Sequence, residues 1–324
     1  MPSKPAKNHS VTKRIAVIPG DGIGIEVTRE ALKVLKAATS GGSDKLEFTQ
    51  FDWGAERALR DGTTLPEGAI EMLRRDFDAI LFGAVGDPRV PANKHAADIL
   101  LGMRAKLDLY VNLRPVELFD QALTPLRGRG TRDVNFVVLR ENTEGLYAGV
   151  GGQFQRGSPN EVALQEDVNT RRGVERIIRY AFEYARLHNL GRVCMSDKSN
   201  VLTYGHELWQ RVFSEVKAEY PGIESRHMYI DTLLMEIVRD PGQFRVIVTC
   251  NLFGDILSDL GAQLAGGLGL APSGNIHPGR ISMFEPVHGS APNIAGKNIA
   301  NPAGAVLASG LMLDHLGLHP QAGA

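Results

Sequence analysis

Short β-rich runs alternate with longer amphipathic stretches along almost the whole chain, and this alternation constrains the fold more than any single motif. Residues 14–18 (RIAVI) read as a buried strand, and residues 26–37 as a helix with Val27, Ala31, Val34 and Leu35 on one face. Further strands are expected at 46–51, 79–82, 111–118, 136–139, 192–195, 225–230, 246–249 and 281–284. Helical patterns fall between them at 66–75, 99–107, 170–188, 206–219, 233–238, 253–265 and 302–316. A chain written this way folds as an α/β protein, with a largely parallel sheet flanked by helices. No internal repeat or low-complexity block interrupts it.

A length of 324 residues corresponds to about two domains or one large α/β unit. Lys and Arg number 36 against 37 Asp and Glu, a net charge of −1, so no electrostatic case exists for a nucleic-acid or membrane partner. The cysteines are Cys194 and Cys250 alone, each beside a strand-like apolar run. That excludes a disulfide scaffold and points to a reducing, cytoplasmic setting. The longest apolar stretch, 303–313, is broken by Gly304 and Gly310 and is too short to span a bilayer. Residues 1–14 are polar and basic and read as a loose tail, not a signal peptide.

The first strand ends in Pro19-Gly20-Asp21-Gly22-Ile23-Gly24, but the glycine spacing of a dinucleotide fingerprint fails. A tight strand-to-helix turn with positive φ is the better reading. A stronger signal is Asn251-Leu252-Phe253-Gly254-Asp255-Ile256-Leu257-Ser258-Asp259. Asp255 and Asp259 lie four apart on a helix, so both carboxylates leave one face. They form either a hard-oxygen site for Mg²⁺ or Mn²⁺ or a solvated acidic face. Arg104, Arg114 and Arg140 follow helix or strand patterns. Three converging guanidiniums suit a substrate with two carboxylates, whereas singly each suits a structural ion pair. Tyr147 and Lys198 follow strand ends, where ligand sites gather in open α/β sheets. The glycine-rich stretch 149–167 breaks the rhythm and reads either as an oligomer contact or lid, or as a surface loop.

Taken with Glu285-Pro286-Val287-His288-Gly289-Ser290-Ala291-Pro292, these motifs resemble the metal-dependent β-decarboxylating dehydrogenases. That family includes the 3-isopropylmalate, isocitrate, homoisocitrate and tartrate/D-malate enzymes, and the resemblance runs from about residue 14 to residue 316. It implies a two-domain isopropylmalate dehydrogenase-like fold with a mixed sheet, distinct from the Rossmann fold. One domain would join 15–109 to 267–324, and the other, 110–266, would carry dimerisation, substrate binding and an intersubunit arm near 149–167. It also implies a homodimer or larger assembly with shared active sites. Arg104, Arg114 and Arg140 would then bind substrate carboxylates, with Tyr147 as proton donor and Lys198 as the base reaching into the partner's site. Asp255 and Asp259 would bind Mg²⁺ or Mn²⁺ together with Asp231 of the partner subunit, close to substrate. His288, Gly289, Ser290, Ala291, Pro292, Asn293, Ile294 and Asn301 would hold the nucleotide.

Leu100 and Leu101, ahead of the first arginine, would form an apolar wall suited to an isopropyl group. Isocitrate enzymes place Ser and Asn where this chain has Asp98 and Leu100. The resemblance therefore implies oxidation and decarboxylation of 3-isopropylmalate to 4-methyl-2-oxopentanoate, in leucine biosynthesis. Alternatives are the same chemistry on D-malate, tartrate, homoisocitrate or isocitrate, or a non-catalytic paralogue. NADP-linked members carry Lys-Tyr where Asn293-Ile294 stands, so NAD is the expected nucleotide. Its discrimination would be weakened, because NAD-linked members usually have Asp in place of Asn293. The chain ends at Ala324, where family members usually continue through further helices, and loss of those helices would expose apolar surface.

Overall fold

The computed structural model describes residues 12–41 and 45–318. The chain begins with β1 (Thr12–Gly20), α1 (Ile23–Thr39), β2 (Lys45–Gln50), α2 (Ala55–Asp61), α3 (Ala69–Asp76) and β3 (Ala79–Ala84). A broken helical segment follows: α4 (Lys94–Ala96), a π-turn over Ala97–Leu101, and α5 (Gly102–Lys106). The middle runs through β4 (Val111–Glu117), β5 (Asn135–Glu141), β6 (Gly151–Phe154), β7 (Val162–Gln165), α6 (Arg171–Leu187), β8 (Arg192–Asp197), α7 (Gly205–Lys217) and β9 (Glu224–Tyr229). Then come α8 (Ile230–Arg239), β10 (Val246–Thr249), α9 (Asn251–Leu264), β11 (Pro272–Ile276), β12 (Ser282–Pro286) and α10 (Ala303–His315).

The chain divides into two compact units, Met1–Leu107 with Pro278–Ala324, and Asp108–His277. In the first, strands run β2-β1-β3-β12, every pairing parallel. Parallel strands are covered on both faces, which explains why Ile15, Ala16, Val17 and Ile18 form an unbroken apolar run with no exposure. Ile15, Val17, Leu35, Leu81, Phe284, Met312 and Leu313 make one cluster, and Val27, Ala31 and Ala305 join α1 to α10. Each large side chain so buried contributes about 1.5–3 kcal/mol. The turn after β1 has the positive φ read from its glycines: +73° at Gly20 and +55° at Gly22. A Cβ at Gly22 would lie 2.0 Å from the Ser290 carbonyl oxygen, so the turn and the 288–294 loop touch backbone to backbone.

The second unit has the order β11-β4-β5-β10-β8-β9. β4 is antiparallel to both β11 and β5, while β5, β10, β8 and β9 are parallel, so the sheet is mixed. Its core gathers Val116, Phe136, Val138, Ile247, Leu233, Ile237 and Leu257. The amphipathic spacing of α6 buries Val174, Ile177, Ile178, Ala181 and Phe182, with Phe182 5.7 Å from Phe213 of α7.

Several expectations need correction. Thr12 to Arg14, placed in the tail, belong to β1 and pair with Lys45 to Glu47; the rest of that tail lies outside the described residues. Residues 267–277 join the second unit because β11 pairs with β4. β11 carries no apolar run or alternation, so PSGNI does not read as a strand. Its polar side chains are satisfied internally, with Asn112 Nδ2 donating to Ser273 Oγ (2.8 Å) and Asn142 Nδ2 to Asn275 Oδ1 (2.9 Å). The helix expected at 99–107 begins earlier and is broken by the π-turn carrying Leu100 and Leu101. Within 149–167, β6 and β7 form a separate exposed antiparallel ladder, with Phe154, Val162 and Leu164 open.

Candidate active site

In the second unit, the register of β4 against β5 places Asn112 opposite Arg140. Arg114, two residues beyond Asn112, therefore leaves the same face as Arg140. Helix α9 lies over that face. A Cβ at Gly254 would stand 2.6 Å from Arg140 Cβ and Cγ, so only glycine lets the helix approach this closely. The approach delivers Asp255 to both guanidiniums. Arg114 Nη1 donates to Asp255 Oδ1 (3.2 Å) and to Ser258 Oγ (2.6 Å) and lies 3.8 Å from Asp259 Oδ1. Arg140, 1% exposed, donates to Asp255 Oδ1, and its Nε and Nη2 both reach Asn251 Oδ1 at 2.9 and 2.7 Å.

Tyr147, on a short turn after β5, completes the cluster. Its hydroxyl donates to Asp255 Oδ2 at 2.8 Å, and the Arg140 guanidinium sits 5.1 Å from its ring centroid. Burial, and then the bond to the Asp255 carboxylate, raise the Tyr147 phenol above its ordinary value, so it holds its proton at neutral pH. Burial also raises the Asp259 carboxyl, and the Asp255 charge one turn away adds to the rise against the pull of Arg114. The face that looked like either a metal site or a solvated acidic patch carries a partly buried Asp255 and an exposed Asp259. It presents hard oxygen donors under mutual repulsion, a donor set suited to Mg²⁺ or Mn²⁺. Among the described residues no group of three His, Cys, Asp or Glu side chains could hold a metal ion alone.

Lys198 and Asp231 meet elsewhere in this unit. Lys198 Nζ is 2.7 Å from Asp231 Oδ1, and that bond holds the Asp231 carboxyl below its usual range. In the first unit, Arg104 on α5 is buried and donates to Glu285 Oε1 of β12 (2.9 Å), while its Nε is buried without a hydrogen-bond partner. Leu101 is 38% exposed and Leu100 partly so.

The segment expected to hold the nucleotide is built mainly from backbone and small side chains. Ser290 is buried and its carbonyl accepts from the Ile23 amide at 2.8 Å; Gly289, Pro292, Asn293 and Asn301 are exposed. Ala291 adopts φ of +38°, and Ala291 and Ile294 are partly buried. Asn301 Oδ1 accepts the Ala303 amide at the start of α10 (3.0 Å). Burial lowers the His288 imidazole below its usual value, and its buried Nε2 lacks a hydrogen-bond partner. An unsatisfied neutral imidazole beside exposed backbone fits a site for a planar, polar ligand.

Sequence reasoning named neither Asn251 nor Ser258 as a working residue, although both stand in the motif it singled out. The i, i+4, i+8 spacing of Asn251, Asp255 and Asp259 was the available signal. Glu285 as the partner of Arg104 had no local signal.

A model of the isocitrate/isopropylmalate dehydrogenase family matches residues 14–324, and the chain belongs to that family. It is 51% identical to a 3-isopropylmalate dehydrogenase of Thermobifida fusca over 308 residues, 94% of this chain and 87% of the relative. A 3-isopropylmalate dehydrogenase of Corynebacterium kroppenstedtii is 50% identical over 314 residues, covering 96% and 91%. Among solved structures, isocitrate dehydrogenase from Methylococcus capsulatus superposes with a TM-score of 0.85 at 38% identity, covering 96% of this chain and 87% of that one. The chain is thus an α/β oxidoreductase of the β-decarboxylating type, and no helix among the described residues is long and apolar enough to cross a membrane.

Proposed function

We propose that the chain catalyses the NAD-linked, divalent-metal-dependent oxidative decarboxylation of 3-isopropylmalate, as a cytoplasmic homodimer serving leucine biosynthesis. The observation that carries this reading is the convergence of Arg114, Arg140 and Tyr147 on Asp255, in a chain about half identical to relatives named for that reaction. Arg104, Arg114 and Arg140 grip the substrate carboxylates. They are buried and therefore pre-oriented, so little side-chain entropy is lost when substrate binds. Leu100 and Leu101 face the isopropyl group, an apolar wall that leaves a third carboxylate unsatisfied.

Asp255 and Asp259 would hold the cation with Asp231 of the partner subunit, and 288–294 with Asn301 would hold the nucleotide. These groups, when bound, would supply Lewis acidity and a hydride acceptor. Lys198 Nζ takes the proton of the 2-hydroxyl. Tyr147, kept protonated by its setting, gives its hydroxyl proton to C3 after CO₂ has left. Lys198 and Asp231, the two residues assigned to the partner's site, touch each other within one chain, which supports their acting together. The exposed β6–β7 ladder serves as the intersubunit arm.

NADH formation by the purified protein with Mn²⁺ tests this reading, comparing 3-isopropylmalate, D-malate, tartrate, homoisocitrate and isocitrate, each repeated with NADP. Preference for 3-isopropylmalate with NAD is expected. Preference for another acid keeps the chemistry but overturns the role of Leu100 and Leu101. Absence of turnover from folded protein overturns the enzymatic reading.

A further inference from the structure

The turn carrying Lys198 is held from both sides by groups that the proposed chemistry does not use. Asp197, with no exposure, accepts the Ser199 amide (3.0 Å) and His227 Nε2 (2.9 Å) on Oδ1, and Gln210 Nε2 (2.8 Å) on Oδ2. The Lys198 carbonyl accepts the amides of Val201 and Leu202 at 2.9 and 2.8 Å. The remaining backbone group of Lys198, its amide N–H, donates to His206 Nδ1 at 2.8 Å.

That last bond defines the state of His206. A backbone amide can only donate, so Nδ1 must offer a lone pair, and the single ring proton of the neutral imidazole sits on Nε2. Nε2 faces Asp167 Oδ2 at 3.6 Å, a carboxylate that favours a proton on that nitrogen. His206 beside it holds the Asp167 carboxyl below its usual range. Asp167 is fixed in turn. Its Oδ2 accepts Asn169 Nδ2 (2.8 Å), and Asn169 Oδ1 accepts the indole N–H of Trp209 (2.8 Å), three residues beyond His206 on α7. The ring of His206 is 1% exposed and packs edge-on to Phe253 with centroids 5.4 Å apart. A buried imidazole held in one tautomer, facing a fixed carboxylate and accepting from the residue that carries the base, is more than packing requires.

We propose that His206, oriented by Asp167, is a positioning residue for Lys198: its Nδ1 lone pair sets where the Lys198 backbone stands and so where Nζ meets substrate. The proposal rests on the reading of Lys198 as the base. His206→Phe keeps the ring volume and removes the acceptor. His206→Asn places an amide oxygen near the Nδ1 position, and His206→Gln places its amide further out, toward Asp167.

Steady-state kinetics with the best substrate, alongside melting temperature, separate the outcomes. His206→Phe is expected to lower kcat by about tenfold or more with KM for substrate and NAD within about twofold, because a small displacement of a catalytic group acts on the chemical step. His206→Asn is expected to recover kcat to within about threefold, and His206→Gln to stay low. In protein labelled with ¹⁵N-histidine, one of the unprotonated Nδ1 signals should disappear in His206→Phe while that of buried His95 stays. Full kcat in folded His206→Phe overturns the proposal, and so does equal kcat in the Asn and Gln variants. The Asn and Gln pair decides the matter if the Phe variant does not fold. Lys198→Met tests the underlying reading separately: if it keeps wild-type kcat, Lys198 is not the base, whatever the His206 variants do.

Discussion

The two units build their candidate sites in opposite ways. In the first, the segment proposed for the nucleotide is shaped by main chain: the Ser290 carbonyl takes the Ile23 amide, and Gly22 lies where no Cβ fits. In the second, buried charged side chains do the shaping, with Arg140 and Arg114 projecting from one sheet face onto carboxylates of α9. A ligand read by backbone places few demands on side-chain identity but strict ones on φ and on close approach. A ligand gripped by guanidiniums places the reverse demands. The units should therefore fail differently under substitution, activity collapsing first in one and stability in the other.

The largest effect is expected at Arg140. Arg140→Lys keeps the charge but loses the forked contact with Asn251 and Asp255, and kcat/KM should fall by about 10²–10³-fold. Steady-state assays together with thermal melting check this; a fall below tenfold would break the contrast. Gly22→Ala should instead destabilise by about 2 kcal/mol or more, since it combines strained φ with a Cβ 2.0 Å from the Ser290 oxygen. Gly289→Ala, with nothing within 4 Å of the added Cβ, should stay within about 0.5 kcal/mol in urea unfolding. Equal stability of the two variants would remove the backbone argument.

A milder effect concerns acid. Burial pushes the Asp197 carboxyl up, but hydrogen bonds from His227 and the Ser199 amide outweigh it and leave it below the ordinary 3.8. A depressed carboxyl stabilises the folded state above its unfolded value, and the gain is lost as pH falls through the folded one. Melting temperature should therefore decline below about pH 4, and Asp197→Asn should flatten that decline. The smallest effect on activity is expected at exposed Asn293. Under the proposed nucleotide site, Asn293→Asp would supply a charge-assisted bond to a ribose hydroxyl worth about 1 kcal/mol, roughly a fivefold lower KM for NAD, with NADP disfavoured further.

The strands of the parallel part were readable because burial on both faces writes them as continuous apolar runs, as in RIAVI. β11 was not, because its Ser273 and Asn275 find their partners in Asn112 and Asn142, more than a hundred residues away in sequence. The same distance hides the rest of the site. Asp255 and Asp259 announce themselves by spacing, and Arg114 and Arg140 by sitting in strands, but their meeting depends on strand register. Asp21 shows the limit well: read as part of a turn, its buried carboxylate gathers the amides of Ala55 and Gly86 and His95 Nε2 at 2.6, 2.8 and 2.8 Å. Nothing local in the sequence forecasts partners at those separations.

Gly254 acts as a spacer of zero length. Where α9 crosses Arg140, the missing side chain sets the gap between helix and strand, and with it the strength of attraction between guanidinium and carboxylate. Under the proposed function, affinity for a cation on Asp255 and Asp259 would depend on how firmly Arg114 and Arg140 already hold those oxygens. A single methyl at position 254 would lift the helix and loosen that hold, changing the charge balance at the proposed cation site without altering either aspartate. The chain thus adjusts its charge balance through backbone clearance, a setting that an inventory of charged residues does not register.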